Sequence, residues 1–122
     1  MDQKEEKLVA LAAKLGLKES KEMVELRREI VEADQDGDKE EYILFLNRYA
    51  EHGENAVSLI PDDNTDNFIR GQVAMNILRL RLAYACGGMD DRTEVWYYDV
   101  YDQMWNYRMV ELRKEIEDIF KS

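Results

Sequence analysis

The amino-acid sequence predicts an all-α fold, an irregular bundle of about five helices. Apolar residues recur at spacings of three and four along most of the chain, and Pro61 is its one proline. No pair of alternating apolar runs joined by a tight turn indicates a β-hairpin. With 122 residues, 45% of them apolar and 36% charged, the chain has a globular composition and fits one domain over residues 1–122.

The first two predicted helices are amphipathic. The first extends from about residue 3 to residue 15 and ends before Gly16. The second begins after Ser20, a favourable N-cap, and extends to about Ala33. Its apolar residues form one stripe at helical spacing: Met23, Leu26, Ile30 and Ala33.

The third predicted helix begins after a turn over residues 34–38. Asp38, with Glu41 three residues later, resembles a capping box at the start of this helix. Gly53 is expected to end the helix after about His52, because glycine is common just beyond a helix C-terminus. The short apolar segment 57–60 is then expected to fold onto the core.

The fourth predicted helix, about residues 66–86, is apolar around nearly its whole circumference. That pattern is typical of a buried helix, so we expect it at the centre of the bundle. Its polar gaps are expected to let three arginines reach solvent: Arg70, Arg79 and Arg81. A long C-terminal helix over about 93–120 follows, because no glycine or proline interrupts that stretch.

Two apolar stripes run along the first half of the predicted last helix. One continues to the end of the helix and predicts packing on a neighbour: Tyr98, Tyr101, Trp105, Met109 or Leu112, Ile116 and Ile119. The second stops halfway and is a candidate partner or oligomer interface, together with one adjacent tyrosine: Trp96, Tyr97, Val100, Met104 and Tyr107. Either the first helix or segment 57–60 covers this second stripe, or another protein does. A homodimer is the simplest such assembly.

The net charge of −10 is confined to one stretch of the chain. Residues 29–66 carry twelve acidic residues against Lys39 and Arg48, and the rest of the chain is close to neutral. A confined charge creates a local field that attracts a cationic partner. The candidate acidic patch consists of these residues: Glu29, Glu32, Asp34, Asp36, Asp38, Glu40, Glu41, Glu54, Asp62, Asp63 and Asp66.

This patch predicts a non-enzymatic protein that binds and blocks a basic, nucleic-acid-binding protein. By class rather than by motif, the chain is similar to small acidic helical inhibitors such as nuclease immunity proteins, antirestriction DNA mimics and anti-CRISPR proteins. The alternative is a structural or adaptor subunit that assembles through the aromatic stripe. Direct binding of nucleic acid is not expected, because the acidic stretch would repel phosphate.

No catalytic residue, cofactor site or metal site is predicted. Residues 32–38 begin like an EF-hand loop, but the two possible registers place Phe45 or Ile43 where the bidentate glutamate belongs. A helix-capping turn is therefore favoured. Cys86 is the one cysteine and is expected to be a small packed residue rather than a reactive thiol.

A magnesium-dependent nucleotide hydrolase, similar to the all-α pyrophosphohydrolases, is a further alternative. It requires an acidic stripe on the second helix to face Asp99 and Asp102: Glu22, Glu25, Glu29 and Glu32. No apolar run is long enough to span a membrane, so we expect no membrane partner and a cytoplasmic location.

Overall fold

Six α-helices make up the part of the chain that the computed structural model describes, residues 3–59, 65–88 and 90–121. These ranges contain no β-strand, so the all-α prediction is confirmed. None of these helices combines the length and apolarity needed to cross a bilayer. The helices have the following bounds: α1 Gln3–Lys14, α2 Lys21–Asp36, α3 Lys39–Ser58, α4 Thr65–Gly87, α5 Asp91–Asn106 and α6 Val110–Lys121.

Helix α4 is the centre of the bundle, as its apolar circumference predicts. It packs along α1, α2, α3 and α5, while α6 packs on α1 and α5. Side chains from opposite faces of α4 are fully buried, among them Val73, Leu78 and Leu80. Each neighbouring helix therefore buries its own apolar stripe against the same central element.

The predicted caps fix the start of two helices. The Ser20 hydroxyl accepts a hydrogen bond from the backbone N–H of Met23 at 3.2 Å, and the Asp38 carboxylate accepts one from Glu41 at 3.1 Å. Between these helices, Gly37 ends α2 in the left-handed conformation with φ +71°. The helix-capping turn favoured over an EF-hand is therefore the structure formed.

Gly53 does not end the third helix, contrary to prediction. Helix α3 continues to Ser58, and Gly53 lies buried inside it against the thioether of Met75. The missing Cβ gives that side chain its room, so the glycine serves a tertiary contact rather than a helix end. Val57, expected on the core, is buried in the last turn of α3, while Ile60 lies outside the described residues.

The predicted long C-terminal helix is broken into α5 and α6. Arg108 takes the left-handed conformation with φ +58°, and the N–H of Met109 closes the turn on the carbonyl of Met104 at 2.8 Å. One straight helix over 93–120 would be about 42 Å long, against about 34 Å for α4, and its last turns would extend beyond the bundle. The break instead folds α6 back onto α1, where Ile116 and Ile119 are buried.

This break also reverses the assignment of the two aromatic stripes. Val100 and Met104 are 0% exposed and form the core face of α5 against α4, so they are not an interface for a partner. Tyr98 and Trp105, predicted as core, are 54% and 62% exposed on the opposite face. The helical phase restarts after Arg108, and a stripe extrapolated from α6 into α5 is therefore wrong.

Arg81 is buried in the bundle instead of emerging from α4. It is 3% exposed, with Nε 3.3 Å from a Glu5 carboxylate oxygen and Nη1 3.9 Å from one of Glu19. The Tyr49 hydroxyl donates a hydrogen bond to Glu19 at 2.8 Å. Burial, followed by the charge of Glu19, raises the pKa of Tyr49 far above its usual value, so the phenol stays neutral.

We predict that Arg108→Gly stabilises the protein relative to Arg108→Ala. A left-handed conformation costs an L-residue about 1–2 kcal/mol, and glycine avoids most of that cost but loses entropy on folding, so we expect a net gain of about 1 kcal/mol. Urea denaturation of both variants measures the difference. Equal stabilities would contradict the strain assigned to Arg108.

A second prediction concerns adjacent residues on α5. Met104→Ala should lower the free energy of unfolding by about 2–5 kcal/mol, because it leaves a cavity against α4. Trp105→Ala should cost less than about 1 kcal/mol, because that ring is mostly exposed. Denaturation of the two single variants compares them, and a larger loss for Trp105→Ala would restore the stripe assignment made from the sequence.

Candidate functional site

The turn between α2 and α3 displays a dense set of carboxylates. The caps at Gly37 and Asp38 reverse the chain within two residues and place the last turn of α2 beside the first turn of α3. Most of the acidic side chains that flank this turn are exposed, and only Asp34 is half-buried. The exposed ones are Glu29, Glu32, Asp36, Asp38, Glu40 and Glu41.

The last turn of α2 opposes the usual preference for charge at a helix end. It carries Asp34 and Asp36 and no basic residue. The C-terminal end of a helix has a partial negative charge, so each carboxylate there costs about 0.3–1 kcal/mol where it is exposed. Local stability does not favour these residues. For Asp34 a cationic neighbour from another helix offsets this cost.

That neighbour is Arg92, at the start of α5. Its Nη1 lies 3.1 Å from Asp34 Oδ1, and its Nη2 lies 2.9 Å from Asp90 Oδ2. This bridge joins the N-terminus of α5 to the C-terminus of α2. Three further carboxylates thereby come to the same end of the molecule: Asp90, Asp91 and Glu94.

We call this surface the acidic end. It combines the α2–α3 turn with the first turn of α5, two segments about fifty residues apart in sequence. Its carboxylates are the following: Asp34, Asp36, Asp38, Glu40, Glu41, Asp90, Asp91 and Glu94. The contribution of α5 was missed in the sequence, because no local pattern indicates that Arg92 pairs with Asp34.

Two titratable groups at the acidic end have shifted pKa values with different causes. Burial, and next the charge of Asp34, raise the pKa of the half-buried Cys86 thiol to about 11. Asp90 caps α5 by accepting a hydrogen bond from the backbone N–H of Thr93 at 3.0 Å. This bond holds the pKa of the Asp90 carboxyl below its usual value, so the group stays ionised.

One member of the predicted acidic patch, Glu54, does not join this surface. Helix α3 runs without a break, and its part between Lys39 and Glu54, about 22 Å long, separates Glu54 from the turn at Gly37. Glu54 pairs instead with Arg79 at 3.1 Å. The prediction that Glu54 and the carboxylates of the α2–α3 turn lie at one end of the molecule is therefore wrong for Glu54. Asp62, Asp63 and the side chain of Asp66 lie outside the described residues.

A shallow groove of about 380 Å³ lies within the acidic end. Its apolar part comes from Ala33, Tyr42 and Ile43, and its polar rim includes Asp38 and Arg92. Ile43 is 56% exposed, an unusual position for isoleucine beside so many charges. The groove thus offers apolar contact area with a rim of both signs, Asp34 and Asp38 beside Lys39 and Arg92, next to the other carboxylates of the acidic end.

A second groove, of about 310 Å³, opens between α3 and α5. These two helices both pack on α4, but within the described ranges they do not pack on each other. Trp96 forms one wall, with its ring 5.6 Å from the Arg79 guanidinium carbon. We call this the α3–α5 groove. It shares Tyr42 and Arg92 with the groove at the acidic end, so the two grooves are adjacent.

The remaining residues of the predicted aromatic interface have separate places. Tyr97 is half-buried, in edge contact with Phe120 and stacked on Tyr101. Tyr107 is half-exposed at the end of α5. Together with the buried Val100 and Met104, they do not form one surface.

The arrangement needed for a magnesium hydrolase is absent from the described residues. Helix α2 packs on α3 and α4 and not on α5 in this part of the chain, so its glutamate stripe does not face Asp99 and Asp102. Across the same residues, no group of three or more His, Cys, Asp or Glu side chains is arranged to hold a metal ion.

Comparison of the chain with known protein families, with curated proteins and with solved structures finds no match.

Alkylation of Cys86 is predicted to measure the field of the acidic end. The rate with the neutral reagent iodoacetamide follows the thiolate fraction and should rise until about pH 11. Asp34→Asn removes a nearby negative charge and leaves Arg92 paired with Asp90 alone, so the pKa of Cys86 should fall and the rate at pH 8 should increase about two- to tenfold.

The distant, exposed Glu22→Gln serves as the control and should leave the rate unchanged. An ordinary thiol pKa near about 8.5 in the wild type, or slower alkylation of Asp34→Asn, would contradict the field assigned to this end.

Proposed function

We propose that this chain is a non-enzymatic binding protein that docks its acidic end onto a cationic protein and blocks the surface with which that partner holds nucleic acid. The observation that carries the proposal is the ion pair between Arg92 and Asp34 at 3.1 Å. Because of it, carboxylates from α2, α3 and α5 share one end of the molecule. A partner thus meets a two-dimensional array of negative charge instead of a single helix edge.

The composition of this array supports a role in binding. Asp34 and Asp36 stand at the unfavourable end of the α2 dipole, where a lysine would stabilise the fold better. Residues that oppose local stability are expected at functional surfaces. A carboxylate array also resembles the phosphate charge of a nucleic acid, so a protein with a basic nucleic-acid site is the partner that it complements best.

The expected mode of binding has two parts. The field of the acidic end accelerates encounter with a basic surface, by about 10- to 1000-fold at low salt. The exposed Ile43 and the adjoining groove then supply apolar contact that slows dissociation. Fast, salt-sensitive association followed by salt-insensitive retention is the kinetic behaviour that this surface supports.

Charge reversal at the acidic end tests the proposal. In the triple variant Asp36→Lys, Glu40→Lys and Glu41→Lys, the association rate with captured basic partners should fall by about 10- to 1000-fold at low salt. Partners are identified by affinity capture at low and high salt, and the rates are measured by surface plasmon resonance. The matched control reverses three exposed acids elsewhere, Glu22, Glu111 and Asp118, and should bind nearly as the wild type does.

Competition with a DNA duplex tests the blocking role. The partner should bind either DNA or this chain, so added duplex should displace the chain from it. In the charge-reversal experiment, an equal loss of association rate in the acidic-end variant and in its control would show that binding depends on net charge and not on a site. A ternary complex with DNA would contradict blocking and leave only binding.

A second candidate function, that of a structural or adaptor subunit, is favoured by the exposed face of α5. Val95, Tyr98 and Trp105 lie opposite the buried face of this helix and are more than half exposed. Large aromatic residues in such a position are enriched at protein interfaces. We call these three residues the outward stripe. The sequence suggested an interface at Val100 and Met104, whereas the exposed candidate residues lie on the other side of α5.

Sedimentation velocity tests this second function. If the chain self-associates through the outward stripe, its sedimentation coefficient should rise with concentration, and Tyr98→Ser with Trp105→Ser should abolish the rise. Val24→Ser with Leu44→Ser removes exposed apolar area from other helices and should leave association unchanged. A wild-type chain that stays monomeric at every concentration would contradict self-assembly.

A further inference from the structure

The α3–α5 groove is a gap in the helical layer that covers α4. Because α3 and α5 do not contact each other in the described ranges, apolar side chains that would be buried between two packed helices remain accessible there. Leu46 and Ala50 of α3 and Ala83 of α4 line this gap. With Trp96 and Tyr42 at its sides, the groove has the aromatic and aliphatic lining typical of a peptide or ligand site.

The groove fits a short extended segment better than a helix. The groove has a volume of about 310 Å³, too small to take in a helix with side chains, which is about 10–12 Å across. Along α3 the lining runs from Tyr42 to Ala50, about 12 Å. An extended chain rises about 3.3 Å per residue, so the groove accommodates about four residues.

The negative charge of the neighbouring acidic end favours a cationic occupant of the groove. Two arginines line it, but both already have carboxylate partners. Arg79 pairs with Glu54, while Arg92 pairs with Asp34 and Asp90. The groove borders the acidic end at Tyr42 and Arg92, so a segment that extends from the groove past Arg92 meets Asp34, Asp90 and the carboxylates of the α2–α3 turn. An anionic segment would be repelled there.

We infer that the α3–α5 groove receives about four residues of an extended basic segment of the partner, in which apolar side chains alternate with arginine or lysine. The apolar side chains lie between Tyr42 and Trp96, and the cationic ones reach the acidic end. Alternation suits an extended chain because successive side chains point to opposite sides. This inference rests on the proposed function and assigns the chemistry of the segment that binds.

Two synthetic hexapeptides of equal charge test the inference by NMR with the full chain. One alternates arginine with leucine, and the other alternates arginine with serine. We expect the leucine peptide to bind about tenfold more tightly at physiological salt and to shift the Trp96 indole and Leu46 methyl signals. The serine peptide should shift signals at the acidic end alone.

A plugged groove provides the matched variant. Asn47 lines the groove at an exposed position of α3, so Asn47→Trp should occlude it and weaken the leucine peptide about tenfold without affecting the serine peptide. Leu44→Trp adds the same ring three residues earlier, outside the groove lining, and should leave both affinities unchanged.

The outcomes separate this inference from the proposed function. Equal affinity of the two peptides, or leucine-peptide shifts that avoid Trp96 and Leu46, would overturn the groove assignment and leave charge-driven docking intact. Binding of neither peptide at the acidic end would overturn the proposed function itself. If Asn47→Trp does not fold, the chemical-shift changes of the wild-type chain still test the groove assignment.

Discussion

The buried charge of Arg81 is the constraint on which the arrangement of the bundle depends. A guanidinium at 3% exposure is costly unless carboxylates compensate it nearby. Glu5 of α1 and Glu19, just before α2, lie within 4 Å of it, and Tyr49 of α3 donates to Glu19. One residue of the central helix therefore fixes three other segments around it. Loss of one member of such a cluster typically costs about 3–5 kcal/mol, so these segments are held in one arrangement.

The candidate site is a consequence of that arrangement. With α2 and α3 held on α4, the turn at Gly37 lies beside the start of α5, and Arg92 can reach Asp34. The two arginines differ in what they do. Arg81 pairs with carboxylates inside the bundle and thereby fixes how the surrounding helices pack. Arg92 is 41% exposed, so its pairs add little stability, but they decide which carboxylates become neighbours at the surface. The gap between α3 and α5 has the same origin, since both helices are positioned by α4.

Local signals in the sequence were sufficient for part of this structure. The caps at Ser20 and Asp38 and the buried α4 were predicted because each depends on neighbouring residues or on one helical period. The break at Arg108 was not predicted, because no glycine or proline marks it. The break is stabilised by the packing of α6 on α1, a contact between distant parts of the chain. Gly53 was wrongly predicted to end a helix, because its missing Cβ instead makes room for the Met75 side chain. Half of the acidic end was found from clustered charge. The other half depends on a contact between positions 34 and 92, which no local pattern encodes.

The turn at Arg108 also determines where the chain's two described ends lie. Folding back of α6 brings the ammonium of Lys4 to 6.0 Å from the Phe120 ring centre, and that ring meets Tyr84 edge-on near the end of α4. Residues 3 and 121 thus approach each other at the pole of the bundle that also carries Cys86 and the start of α5. A segment attached at residue 3 or residue 121 therefore leaves the bundle at the pole that carries the acidic end, whereas an attachment at the opposite pole would leave that pole open.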